Sequence, residues 1–418
     1  MKSASMPVAG RSDLTVFLYA ALGFVYLSAG AQIYLVELLA VVICVHAIAS
    51  RGTFGIPATV VVTLLIWIFG SVLSDLANAT AVGDSLKGFA RAASLLILVL
   101  AIGFLVGGRP RRVLLLWGGI ATSLCLGLLL VPNSYFAGEP WKFGWSQPVT
   151  LLAFLLASTW ARSFGAAVAL CAGVINFALG TRSLAIVCLV AALLLVLRSR
   201  RRGGSRTVRL LVVMAVGMVL IVGVVLLYDR LALAGWFGPE RLARAQYQSS
   251  GDFGVFLTGR GEFFFSLRSI AESPMFGVGS YSPPSADVMD AQLSLLVAEG
   301  YSSVAQNYIT GGLASFHSEI LGSVAENGIL ALPFWLVVGM TFFRGMNMVI
   351  SGYGQYNALV AYISALGMWD LFFSPFGADR KFWVAASIVT VLTLTPGKKH
   401  AESLNNHNQF QSGKVLGA

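Results

Sequence analysis

His317 is followed by Ser318 and Glu319, at the step where a long polar stretch gives way to apolar sequence. It is the one histidine of that stretch. His46 lies in an apolar run, and His400 and His407 lie in a polar tail. An unperturbed imidazole titrates near neutral pH, so a histidine here could take a proton from a sugar hydroxyl. It could also be a boundary residue hydrogen-bonded to a carbonyl. Two arginines offer complementary chemistry. Arg182, in Gly180-Thr181-Arg182-Ser183, sits where one apolar segment ends and the next begins. It is either a snorkelling anchor or a fixed cation whose planar fork suits a phosphate. Arg260 stands between Gly259 and Gly261, which would let a ligand approach the backbone closely. The blander alternative is a solvated turn. Arg268 reads as a charge on the surface of the polar region, or as a supporting cation.

Acids complete the set. Glu319 and Glu326 are seven residues apart and share a helix face, so either could orient the histidine or balance an arginine. Glu37 reads as the lone acid well inside an apolar segment. An intramembrane acid is a functional residue by default, or it structurally neutralises an arginine. Pro274-Met275-Phe276-Gly277-Val278-Gly279 has no preceding strand, so it reads as a turn needing positive φ rather than a nucleotide loop. The chain has no Asp-x-Asp pair and no His/Cys cluster, so neither a metal nor a cofactor is expected. Cys44, Cys125, Cys171 and Cys188 fall in apolar segments and read as packing residues.

The elements that must position these residues are membrane helices. Hydrophobic residues make up 57% of the 418-residue chain and charged residues 11%. Soluble domains carry about 25% charged residues, so this chain needs lipid as its solvent. About twelve apolar segments can be marked, at 14–28, 31–49, 54–74, 88–107, 113–131, 148–161, 164–180, 183–197, 209–228, 320–342, 356–372 and 381–396. Period-2 alternation is absent, and backbone satisfaction in lipid makes the segments helices. The expected fold is an all-α integral membrane protein. Residues 1–228 hold helices one to nine, and 229–319 form a large loop or cap. Residues 320–396 hold helices ten to twelve, and 397–418 form a tail.

Basic residues orient the bundle. Arg198, Arg200, Arg201, Arg202, Arg206 and Arg209 mark one loop as cytoplasmic, and Arg51, Arg109, Arg111, Arg112, Arg162, Arg344, Lys398 and Lys399 fall on the same side. Both termini are then cytoplasmic, and the large loop faces outward. The net charge of +10 is thereby a topology signal, and it does not point to nucleic acid. The loop carries helical spacing in Glu262–Ile270, where Phe263, Leu267 and Ile270 share a face, and again in 287–299. A small helical cap over a cavity is expected.

The order of these pieces resembles the O-antigen ligase and O-antigen polymerase superfamily of bacterial envelope proteins. The resemblance rests on Gly-Thr-Arg-Ser at 180–183, Thr-Gly-Arg at 258–260 and the aromatic helix after it. Pro-x-x-Gly-x-Gly at 274–279, His317 and Glu-x-Gly at 326–328 complete it. One departure is Ser318, where many members have Asn. The resemblance implies a GT-C-like membrane glycosyltransferase of the bacterial inner membrane with its active site facing the periplasm. It implies metal-independent, inverting transfer of an undecaprenyl-pyrophosphate-linked glycan to a sugar hydroxyl, on lipid-linked glycan for a polymerase or on lipid A-core for a ligase. Arg182 and Arg260 would hold the pyrophosphate, and His317 would activate the acceptor. The cap has no outer basic run suited to phosphorylated lipid A-core, which leans the expectation to an O-antigen or exopolysaccharide polymerase. For a polymerase the resemblance admits a chain-length regulator as partner. A transporter of lipid-linked glycan is the alternative of another class, and it would need polar residues along a path across the bilayer.

Overall fold

The computed structural model describes residues 11–28, 32–132, 136–160, 162–198, 206–248, 254–298, 316, 318–352, 354 and 356–395. Among them the chain is helical with one short hairpin. The elements are α1 (Arg11–Ala21), β1 (Tyr26–Ser28), β2 (Gln32–Tyr34), α2 (Leu35–Ala49), α3 (Ala58–Ala77), α4 (Val82–Val106), α5 (Pro110–Leu130), α6 (Ser146–Thr159), α7 (Gly165–Ala178) and α8 (Arg182–Val196). They continue with α9 (Arg206–Leu233), α10 (Pro239–Gln248), α11 (Gly254–Glu272), α12 (Ala286–Ala298), α13 (Glu319–Asn327), α14 (Leu332–Ser351), α15 (Asn357–Phe373) and α16 (Arg380–Leu394). Five helices are long and apolar enough to cross a membrane: α3, α4, α5, the stretch Ala215–Leu233 of α9, and Ile329–Ser351. Five more apolar helices are shorter. With large apolar side chains such as Val42, Val62, Phe69, Leu76 and Val219 facing outward, the molecule is a membrane-embedded helical protein.

Two expectations about the segments need correction. The first apolar segment does not stay helical to residue 28. After α1 and a 3-10 turn the backbone extends, and Tyr26, Leu27 and Ser28 pair antiparallel with Tyr34, Ile33 and Gln32. The hairpin pairs the facing edges of its two strands, and no alternation is needed when the side chains are largely exposed. The tenth segment also breaks. Gly328, at φ 69° and ψ −169°, ends α13 in a conformation open essentially to glycine alone, and a new helix starts after it.

Large apolar residues fill the bundle centre. Trp67 packs against Phe334, Trp335 and Phe376 with ring centroids 5.4, 5.4 and 5.6 Å away. Trp117 meets Trp383 edge-on at 4.7 Å, and its Nε1 donates to Thr390 Oγ1 at 2.7 Å. The cap contributes α10, α11 and α12, and a smaller core joins Phe265, Val288 and Leu296 to Phe316 and Ala325. The expected second cap helix is present as α12. The first is longer than expected and begins before the Thr258-Gly259-Arg260 triplet.

Candidate functional site

Helix α13 is the hub of the charged residues. Ser318 caps its start: the hydroxyl accepts from Leu321 N at 3.1 Å and donates to Leu371 O at 2.8 Å. Serine and asparagine are both strong N-caps, so Ser318 supplies what an asparagine would supply there. Seven residues span nearly two turns, and Glu319 and Glu326 each turn to an arginine from another helix. Glu326 accepts a close, charge-assisted hydrogen bond from Arg91 of α4, and both side chains are buried. Glu319 lies 3.4 Å from Arg380 of α16, which also pairs closely with Asp370 of α15. Asp370 in turn accepts from Ser374 Oγ at 2.6 Å.

The far end of α13 is held by the Pro274–Gly279 turn. Val278 N donates to Ala325 O at 2.9 Å, Gly279 N to Glu326 O at 3.0 Å, and Ile329 N to Pro274 O at 3.0 Å. The first two amides satisfy carbonyls that the helix end leaves free, and the third ties the residue after Gly328 back to the turn. Gly277 and Gly279 have φ of 69° and 94°, as the turn reading requires. A Cβ on Gly328 would come within 2.0 Å of Met275 O, so close backbone approach demands glycine on that side as well. The turn then docks on α3. Asp75 accepts from Ser280 N at 2.7 Å and from Ser280 Oγ at 3.0 Å, and Ser74 Oγ donates to Glu326 O at 2.7 Å. Trp67 Nε1 donates to Asn327 Oδ1 at 2.8 Å. The Arg91 guanidinium lies 4.8 Å from the Tyr281 ring, whose residue takes a strained φ of 54°.

Arg182 occupies a separate group. It opens α8, donates to Asp229 Oδ1 of α9 at 3.1 Å, and stacks 3.8 Å above Tyr228. Its neighbour Gly180, at φ 87°, makes room for the Arg241 guanidinium, which a Cβ would meet at 2.6 Å. Arg241 donates to Leu179 O at 3.3 Å and faces Glu139 at 3.7 Å. The partners described for Arg182 do not include Glu319 or Glu326.

The other expected residues fall as follows. Arg260 lies within α11, so the expected Gly-Arg-Gly turn is replaced by helix. Burial of Phe265 in the cap core holds the helix against two glycines that cost about 1 kcal/mol each. Arg268, on the same helix, is half-buried. The face buried on α11 is Phe265, Ser266 and Ser269, while Leu267 is exposed. His317 lies outside the described residues. Its flanks, Phe316 and Ser318, are both buried. Glu37 accepts from Tyr34 N at 2.9 Å and pairs closely with Lys381 of α16, so its structural partner is a lysine and not the arginine expected. It is not the lone buried acid of the apolar segments, because Asp370 is only 3% exposed. Outside the membrane-spanning stretches, burial pushes the Glu319 carboxyl up to about 8, against the pull of Arg380 and with the help of Asp370.

No protein-family model matches the chain, and no curated relative matches it. What distinguishes the site is therefore its own geometry. Arg91, Asp75, Asp370, Arg380 and Lys381 were not singled out from sequence. Their one signal was position, at or just inside the ends of apolar segments. There a charge costs free energy unless it is partnered.

Proposed function

We propose that the protein is a membrane glycosyltransferase of the O-antigen ligase and polymerase type, and that it acts as a polysaccharide polymerase. It transfers an undecaprenyl-pyrophosphate-linked glycan to a sugar hydroxyl at the outer face of the inner membrane. In this reading about twelve helices span the bilayer, both termini are cytoplasmic, and the α13 end of the bundle faces the periplasm. His317 takes the proton of the acceptor hydroxyl, the hydroxyl oxygen attacks the anomeric carbon with inversion, and the bond to pyrophosphate breaks. Arg182 and Arg260 hold the departing pyrophosphate, whose growing charge needs fixed cations.

The observation that carries the proposal is the fixing of α13. A helix that follows His317 directly is capped by Ser318 and clamped at both ends by Arg380–Glu319 and Arg91–Glu326 pairs. A general base needs a fixed backbone within hydrogen-bond reach of its substrate, and such clamping supplies it. Arg182 supports the reading too: it keeps side-chain surface exposed beside one half-buried carboxylate, where a phosphate could compete for it.

The test is complementation of a deletion strain by His317→Ala and Arg260→Ala, reading surface glycan and lipid-linked intermediates on a gel at equal protein level. Single repeat units accumulating on the lipid, with loss of long glycan, is the expected result. Accumulation of long lipid-linked glycan makes the protein a ligase. Wild-type behaviour of both variants removes the site and favours a transporter.

A further inference from the structure

A cavity of about 350 Å³ lies between the β1–β2 hairpin, the C-terminal half of α5, the turn before α6 and the start of α16. That is within the size of small-ligand sites, roughly 300–1,000 Å³. Six aromatic rings line it: Phe24, Tyr26, Tyr34, Phe143, Phe382 and Trp383. Such rings offer flat apolar faces, and the tyrosines add polar tips. Glu37, Gln147, Asp379 and Arg380 supply hydrogen-bonding groups. At the rim, Tyr26, Phe143 and Val131 are exposed, as apolar groups facing lipid would be.

Charge decides what fits. Arg380 is already shared by Asp370 and Glu319, and Glu37 already holds Lys381. With Asp379 added, Glu37, Asp370 and Asp379 outnumber the two cations even with Glu319 protonated. A phosphate or pyrophosphate would meet net repulsion here. Neutral hydroxyls would not, since they donate to carboxylates and to the Gln147 carbonyl and accept from Arg380 and the Gln147 amide. Ring faces for apolar C–H surface, acids and an amide for hydroxyls, and an apolar rim together describe one ligand class.

We infer that this cavity binds the uncharged sugar end of a glycolipid. Arg380 forms part of the cavity wall and also touches Glu319, so the occupant lies one ion pair away from the helix that follows His317. Resting on the transferase reading, the occupant is the sugar end of the acceptor glycan, and the pyrophosphate groups of acceptor and donor lie outside the cavity.

The experiment uses the full chain in lipid nanodiscs and an alkyl glucoside with a photoactivatable diazirine in its alkyl chain. Labelled peptides are mapped by mass spectrometry. Labelling is expected to concentrate on 120–131 and 378–383, and to fall severalfold with excess unlabelled glucoside of the same chain length. The alkyl phosphate and the plain alkanol of that length should compete poorly. Leu128→Trp, which fills the cavity, and the milder Gln147→Ala should each reduce labelling there severalfold. Equal competition by the phosphate or the alkanol overturns the proposal, as does undiminished labelling in both variants. If labelling behaves as expected while His317→Ala still makes full-length glycan, the cavity stands as a glycolipid site and the transferase reading falls. If His317→Ala abolishes glycan while labelling ignores both cavity variants, the reverse holds.

Discussion

Arg182 and Arg380 occupy the same position in two different helices. Each is the first residue of its helix, α8 or α16, where the positive end of the macrodipole disfavours a cation. Each has therefore recruited carboxylate. Among the described residues Arg182 has one carboxylate partner, Asp229, and lies over Tyr228, with 27% of its side chain exposed. Arg380 has two partners, Asp370 and Glu319, the latter only 1% exposed. The first arrangement leaves guanidinium surface for a ligand. The second is over-supplied with negative charge, so Arg380 acts as a fastener between α13, α15 and α16. A cation at a helix start becomes a binding group or a structural one according to how many acids reach it.

The sharpest way to break this comparison is Arg380→Ala. It would strand two buried carboxylates, and loss of one partner of a buried pair costs about 3–5 kcal/mol. Thermal unfolding in detergent should show a large drop, with partial recovery in Arg380→Lys. A drop no larger than that of Arg182→Ala would end the distinction. Gly328→Ala should come next. Its backbone region alone costs about 1–3 kcal/mol for a residue with a Cβ, and the Met275 carbonyl stands in the way. Loosening α13 in this way should lower glycan output together with stability.

Arg182→Ala should lie at the other end of the stability scale. A half-exposed ion pair and one cation–π contact together amount to about 1 kcal/mol. Its glycan product should nevertheless disappear, and Asp229→Asn, which frees the guanidinium, should keep it. Normal glycan from Arg182→Ala would make this arginine an anchor after all.

A pronounced effect is also expected in pH dependence. The folded-state Glu319 carboxyl is raised from an ordinary 4.5 to about 8, so the folded protein binds more protons than the unfolded chain across that window. Its contribution to stability is therefore present at low pH and declines as pH rises through the window. Glu319→Gln should flatten that part of the profile of melting temperature against pH, and an unchanged slope would show that the carboxyl is ionised throughout.

Much of the fold was legible because hydropathy and helical spacing are local. Every apolar segment marked in the sequence contains a helix, and the cap helix beginning near Asp287 was visible from spacing alone. Two of the failures had local causes of their own. The hairpin at 26–34 hid in a run apolar enough to be a helix, and the break at Gly328 hid between two helices of similar hydropathy. Arg260 reads from its two flanking glycines as a close-approach position or a turn, and the packing of Phe265 that makes it helical is not local.

What the sequence determined by itself is a membrane-embedded helical protein with Glu319 and Glu326 on one helix face, because seven residues close nearly two turns wherever that helix lies. It also placed the glycines of the 274–279 turn, whose backbone no other residue adopts freely. Only the tertiary structure decided which cation each acid meets. Arg91 is 235 residues from Glu326 and Arg380 is 61 from Glu319 along the chain. No periodicity spans such distances. Ion pairing inside a bundle is set by which helix ends pack together, and desolvation there makes every charge choose a partner.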